Sequence, residues 1–324
     1  MSSLTMSTSS TRMPRMPLYA TVDKEGGIIE MKCQGSELST AWELDVYSRP
    51  VLVDGKKLWE VLLTSSDSNM RFVRTLPSNA VNSKAVRDAV ESCIEEVGER
   101  GGDCKEIRFF RGQMFNMINI AMSAVDVVTK PSRATYSLLA WISERESDVY
   151  PKMDGYKESM SEGVGLGGGS FLDIRTPIKL PDALRGEKYA FVSLPLSEFM
   201  EGGGVNSENI GVGRLCPVQE GLPADGFVEG VVVMTKRAKA LATWMAGTEV
   251  CGIICDLRKR QMVMEADIST QYLVAKLDDS QRKEGVAFEE GKERMGGLHF
   301  LCVQEDENDE EPKGVWLLRN VEVK

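Results

Sequence analysis

Three apolar runs separated by short polar breaks, Trp42 to Val53, Lys57 to Thr64 and Met70 to Leu76, have the length and alternation of successive strands. Asp54-Gly55 between the first two supplies the positive φ angles of a tight hairpin turn. The period then changes. Val86, Ala89, Val90, Cys93, Ile94 and Val97 recur at helical offsets, which predicts an amphipathic helix closed by Gly98 or Gly101. Glu106 to Phe110 predicts a fourth strand. Met114, Met117, Ile118, Ala121, Val125 and Val128 predict a second helix, broken at Lys130-Pro131-Ser132-Arg133, and Tyr136 to about Asp148 a third. The order β-β-β-α-β-α-α matches the opening of a ribonuclease H-like sandwich, and other α+β folds begin the same way.

From Lys152 to about Arg185 the composition shifts to Gly, Ser and Pro around Gly165-Leu166-Gly167-Gly168-Gly169-Ser170. No strand precedes these glycines and no Gly-Lys-Ser/Thr follows, so the stretch reads as a linker and not as a phosphate-binding loop. A second unit follows: strand Tyr189 to Leu194, a Gly-rich loop from 202 to 213 expected to be mobile, strand Gly230 to Met234, and helix Lys236 to Ala246. Val250 to Asp256 and Gln261 to Glu265 form a hairpin around Arg258-Lys259-Arg260. Then come Gln271 to Leu277, a charged helical segment from Asp278 to Met295, and strands Leu298 to Gln304 and Gly314 to Asn320. The expected organisation is an α/β (α+β) protein. It has a disordered leader at 1–40, an N-terminal α/β domain at 41–151, a linker at 152–187 and a smaller mixed α/β domain at 188–324.

The chain has 324 residues and a formal net charge of -10, so any nucleic-acid site must be a local basic patch and not a global field. The acidic run from Glu305 to Glu311 reads as a solvated loop between strands. The 7 cysteines are scattered without a CxxC pair, which argues against a structural zinc site or a secreted disulfide framework. No apolar run reaches the roughly 18 to 20 residues of a membrane helix. The first 22 residues carry Arg12, Arg15 and many Ser and Thr but no Asp or Glu, as organelle transit peptides do. A plain disordered tail is the alternative.

Chemistry-bearing residues are few. His299, the only histidine, sits in the apolar run Leu298 to Val303, and neither HExxH nor GxSxG occurs, so no catalytic residue, metal site or cofactor is assigned. A metal-dependent nuclease of ribonuclease H type would need converging carboxylates. Asp45 and Glu60 are available, but the fourth strand ends in Phe110-Arg111-Gly112, where a metal-binding acid is expected. The same segment offers single-stranded nucleic acid both charge and stacking area: Arg108, Phe110 and Arg111, followed by Gln113 and Asn116 at a helix start. Arg133, the cluster Arg258, Lys259 and Arg260, and Trp316 complete the candidate RNA-binding residues. Strand alternation and core packing are the competing reading for the phenylalanines and for Trp316.

Several motifs in order resemble one family. They are Trp42-Glu43-Leu44-Asp45-Val46-Tyr47-Ser48-Arg49-Pro50-Val51, Gly55-Lys56-Lys57-Leu58-Trp59-Glu60-Val61-Leu62, the segment from Phe109 to Ile118, and Pro131-Ser132-Arg133 with Trp141, Glu144 and Arg145. Val149-Tyr150-Pro151, Gly155-Tyr156, the run from Leu180 to Val192 and the terminal Val315-Trp316-Leu317-Leu318 continue the match. The chain is similar here, from about Trp42 to Arg319, to the TAB-type RNA-binding proteins of cyanobacteria and chloroplasts. That resemblance implies a non-catalytic RNA binder of the chloroplast stroma. It would activate translation of photosystem I reaction-centre mRNAs through A/U-rich 5′ leaders and support photosystem biogenesis. Its partners would be RNA and the ribosome or other translation factors. Trp316-Leu317-Leu318 matches the family's C-terminal hallmark, whereas Ala134 stands where a second basic residue is expected, and the Gly-rich insertions near 165 and 202 are departures. Protein scaffolding without RNA contact is the reading that the acidic net charge favours.

Overall fold

The computed structural model describes residues 19–22, 28–34, 38–163, 176–268, 270–309 and 311–320. The chain divides into two compact units, one built mainly from residues up to 161 and the other from residues 162–324; the short pieces 109–113 and 131–136 group with the second.

In the first unit the three long strands stand where the pattern puts them: β3 (Ala41–Val53), β4 (Lys56–Ser65) and β5 (Met70–Leu76). They pair antiparallel, and the turn from β3 to β4 has φ of 50° at Asp54 and 76° at Gly55, the double positive φ of a two-residue hairpin. Part of the stretch expected to be a disordered leader forms strands. Strands β1 (Tyr19–Val22) and β2 (Ile28–Cys33) fall within 1–40, and β2 pairs antiparallel with β5 from Ile29↔Arg74 to Cys33↔Met70. Met31 and Cys33 are buried while Lys32 between them is exposed, a short period-2 signal inside a segment that composition alone had marked as tail. The transit-peptide-like composition and the glycine run 165–170 lie almost wholly outside the described residues.

Helix α1 (Ser83–Gly98) is capped by the Asn82 side chain, which accepts from the Ala85 N–H, and it buries Val86, Ala89, Val90, Cys93 and Val97. Strand β6 (Glu106–Phe109) leads into helix α2 (Phe115–Met122), which is shorter than its apolar offsets predict. The β-branched run Val125 to Val128 leaves the helix instead, and Val128–Pro131 forms strand β7. Helix α3 (Tyr136–Glu144) continues into a π-turn at Arg145–Val149. The seven strands lie in the order β1-β2-β5-β4-β3-β6-β7, so β3 sits between its hairpin partner and β6.

The second unit contains two sheets. Strand β8 (Ile178–Lys179) falls inside the expected linker and pairs with β14 (Thr270–Lys276), completing a four-stranded sheet with β12 (Val250–Asp256) and β13 (Gln261–Ala266) in the order β12-β13-β14-β8. The other sheet has the order β10-β16-β15-β11-β9, from β9 (Lys188–Pro195), β10 (Arg214–Leu215), β11 (Phe227–Met234), β15 (Leu298–Gln304) and β16 (Gly314–Arg319). One face of that sheet packs Val231, Val233, Leu301, Trp316 and Leu318 with helices α4 (Ala238–Gly247) and α5 (Asp279–Arg294). The opposite face packs Val228, Phe300, Cys302, Val315 and Leu317 with Leu196, Phe199 and Ile210. Burial on both faces explains why β15 and β16 read as nearly continuous apolar runs. The 202–213 loop is tied down: the Glu198 carboxylate accepts from the Gly204 N–H at 3.0 Å, and the Ile210 carbonyl accepts from Val315 N–H at 2.9 Å.

Candidate nucleic-acid interface

Alternation along β3 places Glu43, Asp45 and Arg49 on one face of the first unit's central strand. Asp45 and Glu60, the carboxylates available to a nuclease, are both held by Arg49, at 2.9 and 3.0 Å. Glu60 also receives Arg145 at 2.6 Å and the Tyr150 hydroxyl at 2.7 Å. Four of these five residues are at most 1% exposed, and Arg145 is 7% exposed, so the acids here neutralise arginines inside the fold. Among the described residues no group of three or more His, Cys, Asp or Glu side chains is placed to hold a metal ion.

Glu43 was not singled out from sequence, although it stands in the same run and on the same face as Asp45. Its carboxylate is 2% exposed and accepts from the Leu138 N–H at 2.7 Å, in the first turn of α3. Burial pushes its pKa up to about 7, with the Leu138 hydrogen bond and the Arg108 charge pulling the other way. A cation and a helix start thus face this acid.

The segment after β6 separates what the sequence groups together. Arg108 is buried and paired with Glu106, which also takes Lys130 at 3.0 Å. Burial alone would raise the Glu106 carboxyl, but these two cations outweigh it and hold the pKa below the usual value. Arg111 is 3% exposed and lies over the Phe110 ring, its guanidinium carbon 4.9 Å from the centroid, and Phe110 is half-buried. Neither arginine presents its head to solvent. Gln113, Phe115 and Asn116 are exposed, and Ile120 further along α2 is more so. Phe115 and Phe227 are the two aromatic side chains exposed by more than a third among those described.

In the second unit Arg133 is bound to Glu265 at 2.8 Å, and the neighbouring Ser132 hydroxyl donates to Glu249 at 2.7 Å, so this basic position is a tether. Trp316 is buried in β16, a strand flanked on both sides, and it is core and not a stacking platform. Of the basic candidate residues, Arg258, Lys259 and Arg260 at the tip of the β12–β13 hairpin are exposed. The Asp256 side chain accepts from the Arg258 and Lys259 N–H groups, fixing the turn, and Arg260 takes φ of 52°. Lys259 reaches Asp256 at 3.6 Å and Arg260 reaches Asp279 at 3.0 Å, both as exposed pairs that solvent largely screens. Lys276 lies opposite Gln261 in the next strand and adds a further exposed cation to this end of the sheet.

His299 is structural. Its Nε2 accepts from the Ile253 N–H at 2.9 Å and its Nδ1 lies 2.9 Å from the Gly297 carbonyl, which fixes the proton on Nδ1. Burial first, and then the Lys292 charge, push its pKa down to about 3. All 7 cysteines are buried, and burial raises their thiol pKa values. No helix among the described residues is long and apolar enough to cross a membrane.

The fold is mixed α/β, and its central acids are neutralised by arginines. Residues 41–145 match the family described as RNA-binding protein Tab2/Atab2 N terminal, and residues 169–319 its C-terminal domain. A chloroplastic TAB2 homolog of Zea mays is 36% identical over 291 residues, covering 86% of this chain and 70% of that protein. One from Arabidopsis thaliana is 34% identical over 283 residues, covering 86% and 74%. The chain belongs to the Tab2/Atab2 family. Among solved structures, the HTLV-2 integrase catalytic core domain aligns at 13% identity and a TM-score of 0.27, over 37% of this chain and 79% of that one. A simian T-cell lymphotropic virus intasome aligns at 10% identity and 0.25, over 57% and 68%.

Proposed function

We propose that this protein is a chloroplast RNA-binding protein that acts in the stroma without catalysing a reaction. It would bind A/U-rich 5′ leaders of photosystem I reaction-centre mRNAs and activate their translation together with the ribosome or other translation factors. The observation that carries this reading is the ordered match of both halves of the chain to the two domains of a family described as RNA-binding, with chloroplastic homologs in two plants.

The physical roles differ from those that local sequence suggests. Phosphate contacts fall to Arg258, Lys259 and Arg260, which are exposed; the ion pairs of Lys259 and Arg260 are solvent-screened, so phosphate replaces carboxylate there at little cost. Gln113 and Asn116 supply hydrogen-bonding groups and Phe115 a stacking face. Arg108, Arg111 and Arg133 hold the fold around them. The nuclease alternative is disfavoured by the two guanidinium groups that already occupy the Asp45 and Glu60 carboxylates.

The test is a titration of the full chain against a labelled A/U-rich leader and a scrambled control, with and without Mg²⁺, following both complex formation and RNA length. Binding that weakens steeply with salt and leaves the RNA intact is expected. RNA shortened only with Mg²⁺ would overturn the non-catalytic reading, and no binding would leave protein scaffolding in its place.

A further inference from the structure

We propose that a cleft in the second unit is a docking surface for a cationic, apolar segment of a partner protein. One wall is the single helical turn Leu196–Phe199 with residues 200–203 after it, and the other is the loop 218–224. Its floor is apolar: Leu196 is buried, and Val218 and Leu222 pack on the same cluster. At the lip Met200 is 49% exposed. Among the lining residues the charged side chains are Glu201 and Glu220, both exposed carboxylates.

The walls are built to a fixed shape. A Cβ on Gly203 would lie 2.4 Å from the carbonyl oxygens of Ser197 and Glu198, so the first wall closes only around glycine. The Glu198 carboxylate is spent inside that wall on the Gly204 N–H. Glu201 and Glu220 have no such task and face the open cleft.

An apolar floor under two carboxylates selects its occupant by charge. RNA phosphates are repelled from it, while lysine or arginine spaced between aliphatic side chains satisfies both rim and floor. An exposed methionine at the lip suits such a surface, since its unbranched, polarisable side chain repacks around different partners. This surface is separate in chemistry from the cationic hairpin tip and does not depend on the RNA reading.

The experiment titrates the full chain with a short fluorescein-labelled peptide of leucine and lysine at helical spacing, beside its glutamate-for-lysine counterpart. Binding is mapped by methyl resonances. The lysine peptide should bind, shift the Leu196, Met200, Val218 and Leu222 signals, and lose at least about tenfold in affinity in the triple variant Met200→Ser, Glu201→Gln, Glu220→Gln. The acidic-loop variant Glu307→Gln, Glu311→Gln should bind it unchanged, and RNA affinity should be the same in both variants. Equal binding of the glutamate peptide, equal loss in the acidic-loop variant, or methyl shifts elsewhere would overturn the proposal. Self-association of the free protein that the triple variant abolishes would overturn it in favour of a second copy as occupant.

Discussion

The two units use buried polar side chains differently. The first keeps ions inside: Asp45, Glu60, Arg49 and Arg145 form a closed network with the Tyr150 hydroxyl. The second keeps a neutral imidazole and spends side chains on the open edge of a strand. His299 accepts from the Ile253 N–H, the Lys292 ammonium donates to the Ile253 carbonyl at 2.8 Å, and Glu289 accepts from the Cys255 N–H at 2.6 Å. Only in the second does an edge strand have its backbone groups completed by side chains. The first network joins five side chains to one another, whereas in the second the Lys292–Glu289 pair at 2.7 Å and the neutral imidazole each also bond a backbone group of β12.

Breaking the network should give the largest effect. Glu60→Ala leaves two buried guanidinium groups without their shared acceptor and should cost the first unit about 3–5 kcal/mol, read from urea unfolding followed by methyl NMR, which resolves the units separately. Unchanged stability of the first unit would mean that the network is solvated and not structural.

Acidity should move the units in opposite directions. Glu43 has a folded pKa raised from 4.5 to about 7, so its contribution is fully present below pH 4.5 and is lost as pH rises through 7. Glu43→Gln should therefore stabilise the first unit at pH 8 by on the order of 2 kcal/mol and remove most of that slope. His299 has a folded pKa lowered from 6.5 to about 3, so its contribution is present above pH 6.5 and is lost as pH falls towards 3. His299→Leu should cost the second unit about 1–3 kcal/mol at pH 7, because the Ile253 N–H loses its acceptor, and should flatten its acid-side loss. Urea midpoints for each unit at pH 5 and pH 8 check both signs.

The smallest effect on stability should come from the residues assigned to RNA. Alanine at Arg258, Lys259 and Arg260 together should leave both unfolding midpoints within about 0.5 kcal/mol, while RNA affinity falls and the salt slope drops by up to about 3. Arg111→Ala should do the reverse, lowering stability and changing RNA binding only as far as the fold loosens. If Arg111→Ala cuts RNA affinity at full stability, the assignment of contacts to the hairpin tip is wrong.

These contrasts also mark what could be read from the chain alone. Strands β3, β4, β5, β12, β13, β15 and β16 begin and end within a residue or so of where alternation and turn residues put them, because strand period and Gly/Asp turns are local properties. Helix α2 overran in the reading because Val125 and Val128 kept a helical offset by coincidence while their β-branched shape favoured a strand. The arginines were harder. Arg108 finds its acid two residues away, but Arg133 finds Glu265 in a distant strand, and no local pattern announces that partner. Trp316 was legible as strand, but the choice between core and stacking platform stayed open, since flanking strands on both sides are a topological fact.

Strand β2 sets a boundary on how this chain can be trimmed. Its five Cα pairings with β5 cover that strand's outer edge, and Met31 and Cys33 go into the interior with it. A proteolytic cut within or beyond β2 would strip this cover and leave β5 as an open edge, ready to pair with other chains. A recombinant fragment starting at residue 41 should therefore be more prone to aggregate than one starting upstream of Ile28, which light scattering of the two would check.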